Sequence, residues 1–183
     1  RLQSFVAQVL EERVRLQERI GSFNGLELPV QGFEVDELKD AELAANELRK
    51  KWDLGIAPVA NLMGVLEDHF IHVIEVDASE TFDGISAVAR DSEGNVLAAA
   101  VATRRGVSGD RQRLNVAHEL GHLTLKLANE VDAEKAAFRF GAAFLAPAVQ
   151  LCRDVGSKRR LIRSEELLYL KRRYGMSIQA ILF

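Results

Sequence analysis

The sequence predicts an α+β fold, and three observations carry that reading. Apolar residues recur at helical spacing near both ends of the 183-residue chain. Between them lie three short runs rich in β-branched and small apolar residues, "IHVIEV", "GISAVAR" and "NVLAAAVAT". The order, helices then strands then helices, departs from the strict alternation of a parallel α/β sheet. With 48% apolar and 28% charged residues, the chain has the composition of a globular protein with a sizeable core.

Each element has its own signal. Phe5, Val6, Val9, Leu10, Val14 and Ile20 are spaced by threes and fours among charges, which predicts an amphipathic helix over 2–20 closed by Gly21. "GSFNGLELPVQGF" is rich in glycine and holds a proline, so residues 1–33 read as a helix and linker leading from an upstream segment. The start at Arg1 and the stop at "SIQAILF", inside a helical pattern, give the expectation of a fragment. "VDELKDAELAANELRKKWDLG" reads as a second helix, capped near Asp36 and stopped at Gly55, with Trp52 as a core anchor. A short helix through "ANLMGVLEDH" enters the first strand, and "DSEG" joins the other two strands as a hairpin. From Arg111 the pattern is helical through "RQRLNVAHELGHLTLKLA" and then "DAEKAAFRFGAAFLA" up to Pro147. A polar basic stretch, "RDVGSKRRLIR", precedes helical "SEELLYLKRRYG" and "MSIQAILF". Residues 34–150 therefore read as the main domain and 151–183 as a C-terminal helical appendage.

Composition excludes several classes. No run approaches the roughly 18 apolar residues of a membrane span, and the N-terminal segment lacks a signal peptide's apolar centre. The single cysteine, Cys152, excludes an intrachain disulfide, and a cytoplasmic location follows as an expectation. Cys152 itself reads as a small apolar filler. Residues 1–100 carry 9 Lys+Arg against 19 Asp+Glu, whereas 101–183 carry 15 against 8. Either the two halves complement each other when packed, or they face different partners.

The chemistry concentrates in "NVAHELGHLTL", residues 115–125. On a helix, His118 and His122 lie on one face a turn apart, and both imidazoles can address one cation. Zinc accepts neutral imidazole, and catalytic zinc sites commonly keep three protein ligands and one water. Glu119 lies beside that axis, where a carboxylate can take the water's proton. Gly121 costs about 1 kcal/mol relative to alanine within a helix, which predicts close approach of another segment. A third ligand is available twelve residues after His122: Glu134 is the first candidate, with Glu130 and Asp132 competing. Glu130 is nearer the turn, Asp132 reads as a helix N-cap, and Glu134 itself also fits a first-turn carboxylate favoured by the helix dipole.

"RQRLNVAHELGH" (111–122) and "EKAAFRFGAAFLAP" (134–147) together resemble the ImmA/IrrE-type metallopeptidases, whose pattern runs roughly R-x-R-F-T-L-A-H-E-L-G-H and E-x-x-A-N-x-F-A-x-x-L-L-M-P. "ELRKKWDLGIAPVANLMGVLEDHFIHVIEV", "FDGISAV" and "LKRRYGMSIQAIL" look like segments of the longer members, so the likeness extends over most of the chain. The resemblance implies a zincin-like domain with His118 and His122 as zinc ligands, Glu134 as the third and Glu119 as the catalytic glutamate. It implies one zinc ion, a protein substrate such as a helix-turn-helix repressor, and DNA contact only through a domain absent from this chain. The sequence departs from the pattern at Leu114, Asn115 and Phe138, and "FLAP" stands for "LLMP".

The expected function is accordingly zinc-dependent hydrolysis of a peptide bond in a specific protein partner. The alternative is a DNA-linked transcriptional regulator whose metallopeptidase-like domain is sensory or catalytically silent, and a third reading is an interaction domain of a toxin-antitoxin or phage-related system. Among secondary features, His69 and His72 form H-x-x-H at a helix-to-strand passage, with no carboxylate pattern converging on them. Arg111 and Arg113 read as substrate-positioning or salt-bridging groups. Lys158, Arg159, Arg160, Arg163, Lys171, Arg172 and Arg173 read as a solvated face more than a phosphate track. Tyr169 and Tyr174 are candidate oxyanion donors by residue type alone.

Overall fold

The three strand-like runs become one sheet, and its central strand explains how the rest is placed. In the computed structural model, which describes residues 2–21, 28–156 and 158–182, strands β2 (Ile71–Val76), β3 (Gly84–Arg90) and β4 (Val96–Arg104) lie in the order β2-β4-β3. β3 and β4 are the antiparallel hairpin, and β2 runs parallel to β4. Six consecutive β4 residues, Ala98 to Thr103, are buried because both faces of the strand are covered. Ala98 and Ala100 pack with Leu10 and Val14, and Ala102 with Val6, all from α1 (Leu2–Ile20). Ala99 and Val101 belong instead to the main core on the opposite face. Small side chains on both faces let the covering helices approach closely.

That main core is built on the pair α4 (Gly109–Thr124) and α5 (Ala133–Leu145). Gly121 meets the expectation of close approach: a Cβ there would lie 2.9 Å from Ala137 Cα and 3.2 Å from Phe140 Cδ1. Gly141 makes the reciprocal contact, its imagined Cβ 2.9 Å from the His118 nitrogen. The helix α2 (Leu38–Lys51) packs on α5, and Trp52 is buried against Phe144 and stacked 4.1 Å from the ring of His69. The short α3 (Leu62–Asp68) leads into β2 as expected. The C-terminal helices α7 (Ser164–Tyr174) and α8 (Ile178–Leu182) place Leu170, Tyr174 and Ala180, with Met176 between them, in the same core cluster. No described helix is long and apolar enough to cross a membrane.

Several expectations are corrected. Phe33–Val35 and Leu125–Leu127 form two further strands, β1 and β5, paired in parallel. The motif helix consequently ends at Thr124, whose hydroxyl donates to the Leu120 carbonyl, and does not continue to Ala128. Two three-residue strands give too short an alternation to announce themselves; each exists because the other is present. The second helix begins at Leu38 with Glu37 as its N-cap, one residue beyond Asp36, and Asp40 accepts from the Asp36 and Glu37 N–H groups. The stretch after Pro147 is the helix α6 (Ala148–Val155), and Cys152 on it is exposed, so it fills no gap. Residues 22–27 of the expected linker lie outside the described residues. Part of the charge imbalance is met by packing: basic groups of the second half meet acids of the first in Arg105–Asp77, Arg111–Asp83, Lys126–Glu34 and Arg139–Glu42.

Candidate metal centre

α4 carries His118 and His122 one turn apart, and the Gly121–Gly141 crossing brings the first turn of α5 against them. Asp132 is the N-cap of α5, its side chain accepting from Lys135 N–H, which leaves Glu134 free to point across the crossing. The Nε2 atoms of the histidines are 3.0 Å apart, and Glu134 oxygens lie 3.2 Å from His118 Nε2 and 3.3 Å from His122 Nε2. Glu130, the other competitor, is exposed in the preceding turn. Among the described residues, this triad is the group of histidine and acidic side chains whose donor atoms converge closely enough to hold a metal ion.

The donor set passes a simple geometric test. Ligand atoms about 2 Å from a tetrahedral zinc are separated by about 3.3 Å, close to the three edges seen here. Two imidazoles and one carboxylate also match the chemistry of a zinc site that keeps a position open. Burial and the neighbouring His122 lower the pKa of His118, which favours the neutral ring a cation needs. Its Nδ1 is buried without a hydrogen-bond partner, whereas ligand histidines commonly anchor that atom.

Glu119 is 8% exposed and faces the same cleft, a cavity of about 360 Å³ bounded by α4, α5 and the approach to β3. Burial, and then the charge of Glu134, push its carboxyl up to about 7, while hydrogen bonds from Ser86 pull the other way. Gly84 forms a wall behind it: a Cβ at residue 84 would lie 2.8 Å from Glu119 Cγ and 2.9 Å from Oε1. That wall is tethered to α4, since Asp83 accepts from Arg111 at 2.6 Å and its carbonyl accepts from Asn115 at 3.2 Å. β3 is an edge strand, and no described strand pairs with its outer side.

The secondary candidates fall elsewhere. His69 Nδ1 meets the Val65 carbonyl, and buried His72 meets Glu67 at 3.3 Å, so the H-x-x-H pair does not converge. Arg113 donates to the carbonyls of Tyr174, Ala60 and Val59, a fastening of the C-terminal helices and not a substrate contact. Tyr174 is buried with its hydroxyl on Asp154, and neither it nor exposed Tyr169 lines the cleft of His118. In the basic set, Arg159, Lys171 and Arg173 pair with Glu166, Asp110 and Asp154. Asp83, Gly84 and Ser86 carry no role in the sequence pattern; their signal was the family-like segment "FDGISAV" as a whole, because the strand reaches the motif helix only through the fold.

Comparison with known proteins places the second half of the chain. Residues 100–183 match the peptidase family model described as the IrrE N-terminal-like domain, in agreement with the resemblance carried by the two motifs. A solved transcriptional regulator from Mycobacterium tuberculosis is similar in fold, with a TM-score of 0.52 at 16% sequence identity. The likeness covers 78% of this chain and 45% of the regulator, so this chain spans less than half of that protein's length. No curated protein matches the sequence.

Proposed function

We propose, from the premise that residues 100–183 match an IrrE N-terminal-like domain, that the chain is a zincin-like, zinc-dependent peptidase acting in the cytoplasm on a specific protein partner. The convergence of His118, His122 and Glu134 within 3.0–3.3 Å, in the wall of a cleft that also holds Glu119, carries this reading. His118, His122 and Glu134 hold the ion; when bound, zinc supplies Lewis acidity toward water and a peptide carbonyl. Glu119 takes the proton of the attacking water and returns it to the leaving amine nitrogen. Gly84 and Ser86 keep that carboxyl in place. The free edge of β3 suits an extended substrate backbone, which it would bind as an added strand. The partner class implied by the motif resemblance is a helix-turn-helix transcriptional repressor.

A second reading is supported by the fold likeness to a transcriptional regulator: a regulatory module in which the same centre is sensory or silent, with DNA bound through a segment outside this chain. Elemental analysis of the purified protein, combined with incubation of wild type and Glu119→Gln with a candidate repressor, separates the two. The peptidase reading expects about one zinc per chain in both proteins and cleavage by wild type alone. Cleavage undiminished in Glu119→Gln removes that residue from the mechanism. Zinc-dependent transcription without cleavage supports the regulatory reading.

A further inference from the structure

The cleft at the candidate centre does not end at the metal-binding side chains. Leu114 and Phe138 line it, and both also line a second cavity of about 390 Å³ completed by Ser177, Gln179 and Ala180 at the start of α8. The two cavities thus adjoin and share a wall formed by these two side chains. None of the five residues around the second cavity is charged, and Gln179 stands at its exposed rim. Phe138 is 40% exposed, and its ring centroid is 6.0 Å from that of His118.

Helical spacing explains the alignment. Leu114 is four residues before His118 on α4, and Phe138 is four residues after Glu134 on α5, so each shares a face with a metal-binding candidate. One helical turn is about 5.4 Å, comparable to the reach of a side chain from a backbone held at the centre. Leu114 and Phe138 are also two of the positions where this sequence departs from the family pattern, so the departures fall on the walls of this cavity.

We propose that Leu114, Phe138 and Ala180 form a selectivity subsite that accepts a bulky apolar side chain, of the size of Leu, Met or Phe, from the substrate residue next to the scissile bond. The assignment rests on the peptidase reading above for its position relative to the reaction. Its physical basis is desolvation: Leu114, Phe138 and Ala180 present apolar surface that favours an apolar side chain, while the Ser177 hydroxyl already accepts from the Ala180 N–H and Gln179 stands at the rim.

The test has two arms. In the first, the zinc-loaded full chain digests a peptide pool and mass spectrometry reads the residues flanking each cut. Leu, Met and Phe on one side of the cut are expected to exceed Gly and Ala by about tenfold. Leu114→Phe shifts the preference toward smaller residues and Phe138→Asn flattens it, with bound zinc per chain unchanged. Where wild type cuts the pool, the same preference in both variants, or wild-type cuts without any preference, overturns the subsite. In the second arm, zinc-loaded Glu119→Gln protein is titrated with fluorescein-labelled peptides that differ at one central residue, Gly, Ala, Leu or Phe. Tighter binding of the Leu and Phe peptides by about tenfold, lost on adding Phe138→Asn, upholds the subsite even if wild type cuts nothing, in which case only the peptidase reading falls. Equal affinities, or no binding, overturn it.

Discussion

Arg49 on α2 and Glu119 on α4 are both buried charged side chains, 2% and 8% exposed, on helices that pack against α5. Their surroundings differ in one respect. Arg49 donates to three carbonyls, Gly55 at 3.0 Å and Phe144 and Ala57 at 2.5 Å, so its charge closes a loop and the end of α5 onto α2. Glu119 has Ser86 as its donor, Glu134 as a neighbouring negative charge, and an open cleft in front. A buried charge with its hydrogen bonds satisfied holds a fold together. One left partly uncompensated in a cleft costs stability and is available for chemistry.

Four measurements break or sharpen that contrast. The largest effect is expected from Glu119→Gln: turnover falls by about 10² to 10⁴-fold, the usual contribution of a positioned acid-base group, while the melting temperature holds or rises. Calorimetry beside a cleavage assay checks both halves, and a marked loss of stability would make Glu119 a structural charge like Arg49. Next comes Arg49→Met, which leaves three carbonyls without their donor and should cost about 3 kcal/mol in urea unfolding without weakening zinc affinity. An unfolding midpoint equal to wild type would show that the guanidinium contributes nothing net.

Smaller effects are expected where the charge itself stays. Gly84→Ala pushes a methyl group against Glu119 and should lower kcat about tenfold, or about 1.4 kcal/mol, with zinc stoichiometry and KM little changed. An unaltered kcat would show that the carboxyl is not held by that wall. The smallest concerns Asp110 in the first turn of α4, where hydrogen bonds from Lys171 and Ser108 hold the carboxyl down at about 2. Because the folded pKa lies below the unfolded one, this stability is present above about pH 4 and lost as pH falls toward 2. The pair is partly exposed, so its worth is about 0.2–1 kcal/mol. Lys171→Met should therefore reduce the drop in melting temperature between pH 5 and pH 3; an identical drop in both proteins would assign acid sensitivity to other groups.

Much of this was legible before any coordinates. The amphipathic spacing of Phe5 through Ile20 marked α1, and β-branched and alanine-rich runs marked β2, β3 and β4, because these signals lie within a few residues of one another. Gly121 announced a helix crossing by its cost. What the sequence did not announce depends on partners far along the chain. β1 needs β5 some ninety residues later, and the apolar stripe of α6, Ala148, Leu151, Cys152 and Val155, runs over only two turns of a helix with no fully buried residue. Arg113 read as a substrate-positioning or salt-bridging group because no local feature foretells the Tyr174 carbonyl it reaches.

The sequence by itself determined that His118 and His122 share a helix face with Glu119 beside them, since four-residue spacing on a helix admits little else. Spacing left the third carboxylate open among Glu130, Asp132 and Glu134, and the family resemblance favoured Glu134. Only the tertiary structure set the distances, because the approach of Glu134 to both Nε2 atoms depends on backbone contact between α4 and α5 at Gly121 and Gly141. It alone placed Gly84 and Ser86 beside Glu119 and set the cleft next to the cavity lined by Leu114 and Phe138. Local periodicity fixes which way a side chain faces along its own element; what it faces is decided by the packing of elements distant in sequence.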